Sequence, residues 1–247
     1  MNAFLKLLQT EIKLSLRDMN MVIFAVLMPM AVLVILGIIY GTETVGDGSG
    51  YLVLERSFGA LCAISVCAGG LMGLPLVIAD YREKKILKRF HVTPVRPVLL
   101  LAVELTVYVL YCAVSLVTLA IAAKGIWGVS IHGSVLSFLG SWLLTTVSTL
   151  SIGLMVGGIA GNSKQAGVIA SLLYFPMLIF SGTTLPLEVM PGIMQKIVGF
   201  FPLTQGIHLM KSAFLGIETG EQWLPVIVML AVTLICSVIS VRCFRWE

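Results

Sequence analysis

Groups able to do chemistry are few in this chain. Its histidines are His91, His132 and His208, and its cysteines lie inside apolar runs (Cys62, Cys67, Cys112, Cys236) or just after one (Cys243). With no CxxC and no cysteine in a long polar loop, neither a disulfide framework nor a zinc site is supported. A hydrolase working at membrane depth needs a nucleophile paired with a base, or two metal-ligating histidines on one helix face. There is no H-E-x-x-H and no paired intramembrane Asp, which leaves Ser134 or Ser181 with His132 or His208 as the material for a serine–histidine site. The nearest approach to a phosphate-cradling loop is Gly157 to Lys164, GGIAGNSK, which lacks the Gly-Lys-Ser/Thr order. No catalytic, cofactor-binding or metal set emerges.

Two features remain. Glu104 is the one clear carboxylate within an apolar run, seven residues after Pro97 and so roughly 10 Å into a helix that starts there. An ionisable group at that depth is costly and marks a functional position by default. Three readings are open for it: an ion pair with a cation such as Lys164 or Arg96, a substrate-path residue, or a carboxylate snorkelling to the interface. The second feature is the stretch 80–97, DYREKKILKRFHVTPVRP, in which mixed charges surround the apolar trio Ile86, Leu87 and Phe90 before Pro94 and Pro97 close it. Physically this is a short surface helix with a charged skirt and a greasy tip, stopped by its prolines.

The elements that carry these groups follow from composition. Hydrophobic residues make up 58% of the 247 and charged residues 11%, against roughly 25% charged in a soluble domain. Mean hydropathy is +1.04. An all-α polytopic membrane protein is expected, with spans at Met19 to Tyr40, Ser57 to Ala79, Val98 to Ala123, His132 to Ile159, Gln165 to Leu185 and Leu224 to Val241. No basic, aromatic-interleaved surface suggests nucleic acid. Residues 1–18 read as an interfacial helix, with Lys6, Gln9, Thr10, Lys13 and Arg17 on one face and Phe4, Leu7, Leu8, Ile12 and Leu16 filling most of the rest. Between the fifth and sixth spans, residues 186–215 are too apolar for a solvated loop and too interrupted by Pro and Gly for a span, which suits short helices re-entering the membrane.

Orientation follows from the basic residues, because cationic loops stay in the cytoplasm. Placing both termini, the 80–97 loop and the Gly161 to Lys164 turn inside puts twelve of the sixteen Lys and Arg there, against five carboxylates. Four cations and six carboxylates fall outside. Small-residue pairs at four-residue spacing (Gly37/Gly41, Gly69/Gly73, Gly153/Gly157, Gly157/Gly161) mark close helix contacts.

Two motifs resemble a known family. The 82–97 stretch is similar to the first cytoplasmic loop of ABC-2-type transporter permeases, a pattern close to R-E-x-G-T-L-x-R-L-x-V-T-P-x-x-P. Arg82, Glu83, Leu87, Arg89, Val92, Thr93, Pro94 and Pro97 match it, while Lys85-Ile86 stands where Gly-Thr is common. The run FSGTTLPLEVMPGIMQKIVGFFPLTQ resembles the family's F-S-G-x-x-x-P-x-x-x-(L/M)-P segment and following P-L-T turn, through Phe180, Ser181, Gly182, Pro186, Met190, Pro191, Pro202, Leu203 and Thr204. The resemblance implies a single six-helix domain over 1–247, both termini inside, in the bacterial cytoplasmic membrane. It also implies a homo- or heterodimer with a second permease subunit, and two copies of a cytosolic ATPase that carry the ATP and Mg. This chain would be non-catalytic and bind no cofactor itself.

By the same resemblance, the 82–90 segment, with Arg82, Glu83, Ile86, Leu87, Arg89 and Phe90, is a coupling helix that takes motion from the ATPase, and Thr93, Pro94 and Pro97 shape its loop. Ser181, Gly182, Pro186, Pro191 and Pro202 belong to an outer gate. The family carries drugs, antibiotics or lipids outward; export of polysaccharide or teichoic-acid-type lipid-linked polymers is the alternative, and an intramembrane hydrolase a distant one. An isolated Glu104 makes no charge ring of the kind that selects ions in a channel.

Overall fold

The computed structural model describes residues 3–17, 19–45, 50–86, 97–182, 191–217 and 223–243. Helix α1 (Ala3–Arg17) precedes six helices long and apolar enough to cross a membrane: α2 (Ile23–Tyr40), α3 (Val53–Glu83), α4 (Val98–Trp127), α5 (Val135–Ile159), α6 (Ser163–Phe180) and α9 (Trp223–Arg242). Two short helices, α7 (Gly192–Val198) and α8 (Pro202–Leu215), stand between α6 and α9. The protein is thus an all-α polytopic membrane protein whose six spans each overlap the run expected from the sequence, although the fifth helix stops at Phe180, short of Leu185.

Helix α3 is the hub: 83% of its most apolar window is buried inside the fold, against 22% for α2, α6 and α9. Hydropathy does not set it apart, since α2 and α9 are more apolar still. Small residues do. Gly70 lies against the backbone of Thr149 and Leu150, and a side chain at Gly153 would strike the Gly70 carbonyl. Gly59 meets Met210 and the Lys211 backbone in the same way. Lipid tails are as apolar as leucine, so close packing of this kind drives helices together within the bilayer. Of the glycine pairs read from the sequence, Gly153/Gly157 falls in the contact of α5 with α3, whereas Gly69/Gly73 faces Tyr108 and Cys112 of α4 and Met21.

Buried polarity is handled locally. Along α5 the hydroxyls of Thr145, Thr146, Thr149 and Ser151 turn back to carbonyls three or four residues earlier, at 2.7–2.8 Å. A second device spans two helices. Pro29 has no N–H to offer the carbonyl of Ala25, four residues before it, and the backbone there widens into a π-helical stretch, Ile23–Leu27. The Ser65 hydroxyl of α3 donates to that freed carbonyl at 2.6 Å.

The second span is longer than expected. It starts four residues before Ser57 and continues four past Ala79, because no Pro or Gly interrupts the chain between Pro75 and Lys84. Arg82 and Glu83 therefore occupy the last turn of α3 and are not the start of a separate surface helix. The helix stops at Lys84, with Lys85 in a left-handed conformation (φ 55°), which for a non-glycine residue costs on the order of 1 kcal/mol. Leu87, Arg89, Phe90, Thr93, Pro94 and Pro186 lie outside the described residues; Pro97 opens the helix that becomes α4.

Candidate functional site

At the end of the bundle where α1 docks, a cavity of about 420 Å³ opens between α1, α3, α4 and the start of α6. The α1 sequence explains the docking. Leu7, Glu11, Leu14 and Ser15 recur at helical spacing on one face, with Leu7 packed on the cluster of Leu74, Ile78, Leu100, Tyr108 and Leu150. Glu11 is thus a carboxylate set in an apolar stripe, and that stripe faces the protein.

Inside the cavity, Tyr81 in the last turns of α3 has its hydroxyl 2.7 Å from Glu11 Oε2 and 2.9 Å from Glu104 Oε1. Glu104 is 4% exposed. Among the described residues no Lys or Arg, Lys164 included, makes an ion pair with Glu104; Arg96, the other cation expected there, lies outside them. Asp80 also lines the cavity and holds Lys84 at 2.7 Å, out at the surface. Apolar walls come from Leu14, Met21, Leu76 and Val77.

Arg82 and Glu83 turn toward the α5–α6 connection. One Arg82 nitrogen donates to the carbonyls of Gly158 (2.9 Å) and Ala160 (3.0 Å), two of the orphan acceptors at the end of α5. Glu83 accepts from the backbone N–H of Ser163, at the first turn of α6, at 3.0 Å. Asn162 caps α6 by accepting from Gln165 N. The end of α3 is therefore pinned to the turn that joins α5 and α6. Ile86 packs sideways on the cluster that also holds Leu7.

At the far end of the bundle a second carboxylate is buried. Glu55, 3% exposed, accepts from Leu52 N, from Ser130 N and from the Ser130 hydroxyl at 3.0–3.1 Å, and His132 Nε2 lies 3.1 Å away. His132 N and Gly133 N donate to Phe214 O, and the Tyr51 hydroxyl to Leu215 O, so this cluster ties the α4–α5 connection and the start of α3 to α8. It is not a relay triad. The Ser130 hydroxyl and Glu55 both face the same ring nitrogen of His132, whereas a catalytic histidine serves its nucleophile and its orienting carboxylate through opposite nitrogens. His208 sits on α8, where burial and then the nearby Lys211 hold its pKa below the usual histidine value.

The residues expected at an outer gate are placed separately. Ser181 is buried and caps α6, Gly182 leaves that helix at φ 89°, Pro191 precedes α7 at an exposed position, and Pro202 opens α8 from a buried one. Glu11 and Tyr81 were not among the residues expected from the sequence. The readable signal was Glu11's place in the apolar stripe of α1.

Residues 2–215 match the family described as ABC-2 type transporter. Among curated proteins, the chain is 30% identical over 132 residues to the inner membrane transport permease YhhJ of Escherichia coli K12, covering 53% of this chain and 35% of that protein. It is 24% identical over 159 residues to the probable multidrug ABC transporter permease YbhS of the same organism, covering 64% and 42%. Nodulation protein J of Neorhizobium galegae is 32% identical over 73 residues, covering 30% and 28%. The matched stretches span less than half the length of each of these relatives.

Proposed function

We propose, because the chain belongs to the ABC-2 type transporter family, that it is the non-catalytic membrane subunit of an ATP-driven exporter in a bacterial cytoplasmic membrane. In this reading the α1 end, with both termini, is cytoplasmic, and the cation excess there supports that orientation. ATP and Mg belong to a separate cytosolic ATPase, two copies serving two membrane subunits. It docks on the end of α3 and the residues after it: Arg82 and Glu83 hold that end to the α5–α6 turn, and Ile86, Leu87, Arg89 and Phe90 follow. At the opposite face, α7 and α8 with Ser181, Gly182, Pro191 and Pro202 close the outer mouth.

The substrate is an amphipathic drug, antibiotic or lipid. The cavity beside α1 supports this most directly, since it sets the apolar walls of Leu14, Met21, Leu76 and Val77 against the polar groups of Glu11, Tyr81 and Glu104. The name of the multidrug relative points the same way. The test is to co-purify the chain with the ATPase encoded beside it, reconstitute the complex in lipid, and measure ATP turnover with amphipathic antibiotics and lipids. Stimulation by a member of this panel is expected, and its loss when Leu76 and Val77 are enlarged to Trp ties it to the cavity. No response to the panel, with turnover raised by a polysaccharide-linked lipid, overturns the reading.

A further inference from the structure

We infer that Glu11 and Glu104 share one proton across the Tyr81 hydroxyl, and that this proton fastens α1 onto α3 and α4. The inference does not depend on what the protein carries. A phenol has one hydrogen to donate and a lone pair with which to accept. Both carboxyl groups stand within hydrogen-bond distance of that one oxygen, at 2.7 and 2.9 Å. With both ionised, one would press its lone pairs against the phenol oxygen with no hydrogen between them. The geometry is satisfied when one carboxyl is neutral: its O–H donates to the phenol, and the phenol donates to the other carboxylate. Three elements then meet in a single chain of hydrogen bonds, α1 through Glu11, α3 through Tyr81 and α4 through Glu104.

Among the described residues, the surroundings supply no substitute for the proton. From α3 the facing groups are Tyr81 and Asp80, a third carboxylate whose cation, Lys84, is 64% exposed and directed away. From α4 they are Glu104 and Tyr108, from α1 Glu11 and Ser15, and from α6 Ser163; the residue contributed by the turn before α2 is the apolar Met21. Among the described residues no Lys or Arg makes an ion pair with Glu11 or Glu104.

The sign of the pH effect follows from counting protons. Docked, the pair holds one. Released, the two carboxyl groups no longer meet at the Tyr81 hydroxyl, and the shared proton passes to solvent. The docked state binds more protons, so docking weakens as pH rises, by about tenfold in the docked-to-released ratio per pH unit while the shared proton titrates.

The experiment uses the full chain in lipid nanodiscs with Cys243→Ser, the four described cysteines being buried. Spin labels at the exposed positions Lys13 and Lys164 report the distance between α1 and the start of α6. One short distance is expected in acid, with a longer population growing as pH rises at the slope above. Glu11→Gln and Glu104→Gln each supply a permanent N–H donor in place of the shared proton and hold the short distance at every pH. Independently, infrared difference spectra of the unlabelled wild type should show a neutral carboxylic acid losing its proton over the same pH range, a signal absent from either Gln variant. A wild-type distance that ignores pH, a slope that persists in both Gln variants, or a wild-type spectrum with no neutral acid each overturns the proposal. The infrared arm decides even if a variant fails to fold.

Discussion

Glu55 and Glu104 are buried to nearly the same degree, at 3% and 4% exposure, yet their surroundings are opposite. Glu55 stands near the start of α3 and Glu104 beside its end, so they belong to opposite faces of the bundle, about 40 Å apart along that helix. Around Glu55 there are donors to spare: two backbone N–H groups, a hydroxyl and a half-exposed imidazole. Around Glu104 there are acceptors to spare, with one phenol between two carboxyl groups. The same residue type, equally buried, is a fixed anchor where donors converge and a titratable joint where they are short. Burial alone does not say which; the count of protons does.

The largest test of that contrast is Glu55→Ala. Removing the acceptor takes the partner from the part-buried Leu52 and Ser130 N–H bonds and loosens the α4–α5 connection from α3, at a cost of about 2 kcal/mol; thermal unfolding in detergent should show a fall in Tm of several degrees, and an unchanged Tm would erase the contrast. Next is Arg82→Ala, which leaves the Gly158 and Ala160 carbonyls unsatisfied and should cost about 2 kcal/mol, read by the same melt and by faster amide exchange in the α5–α6 turn. Glu104→Gln should cost less than about 1 kcal/mol near neutral pH, because the amide restores a donor where one was short. A loss matching that of Glu55→Ala would mean the two sites are held alike. Smallest is Lys84→Ala: its pair with Asp80 is a surface i, i+4 contact, and removing it should move stability by less than about 0.5 kcal/mol.

The spans were legible because their signal is local. Runs of apolar residues near bilayer length identify a helix without reference to its neighbours, and the Gly153/Gly157 spacing marked the face that α5 turns to α3. Partnerships were not legible. For Glu104 an ion pair with Lys164 or Arg96, a substrate-path role and a snorkelling carboxylate were all open; among the described residues it meets Tyr81, 23 positions away, with Glu11 a further 70 from that tyrosine. Arg82 and Glu83 looked like a free charged surface because their partners, the Gly158 and Ala160 carbonyls and the Ser163 N–H, are backbone groups, and these leave no mark on side-chain pattern. Proline shows both sides of this. Pro29 announces a freed carbonyl at Ala25, but nothing near it reveals that Ser65 answers.

The burial of α3 also bears on how the protein is made. Synthesis runs from the N-terminus, so this helix enters the bilayer as the second span, before α5, α8 and α9 exist. Of its final neighbours only α1 and α2 have been made, and the part of α5 that fits against Gly70 lies some eighty residues further along the chain. Until then Glu55 has Leu52 N at hand but neither Ser130 nor His132, and the glycines meant for protein backbone face lipid. The most enclosed helix of the finished protein is therefore the one that waits longest in an unfinished state, and it is there that an insertion chaperone or a slowed ribosome would have the greatest effect on yield.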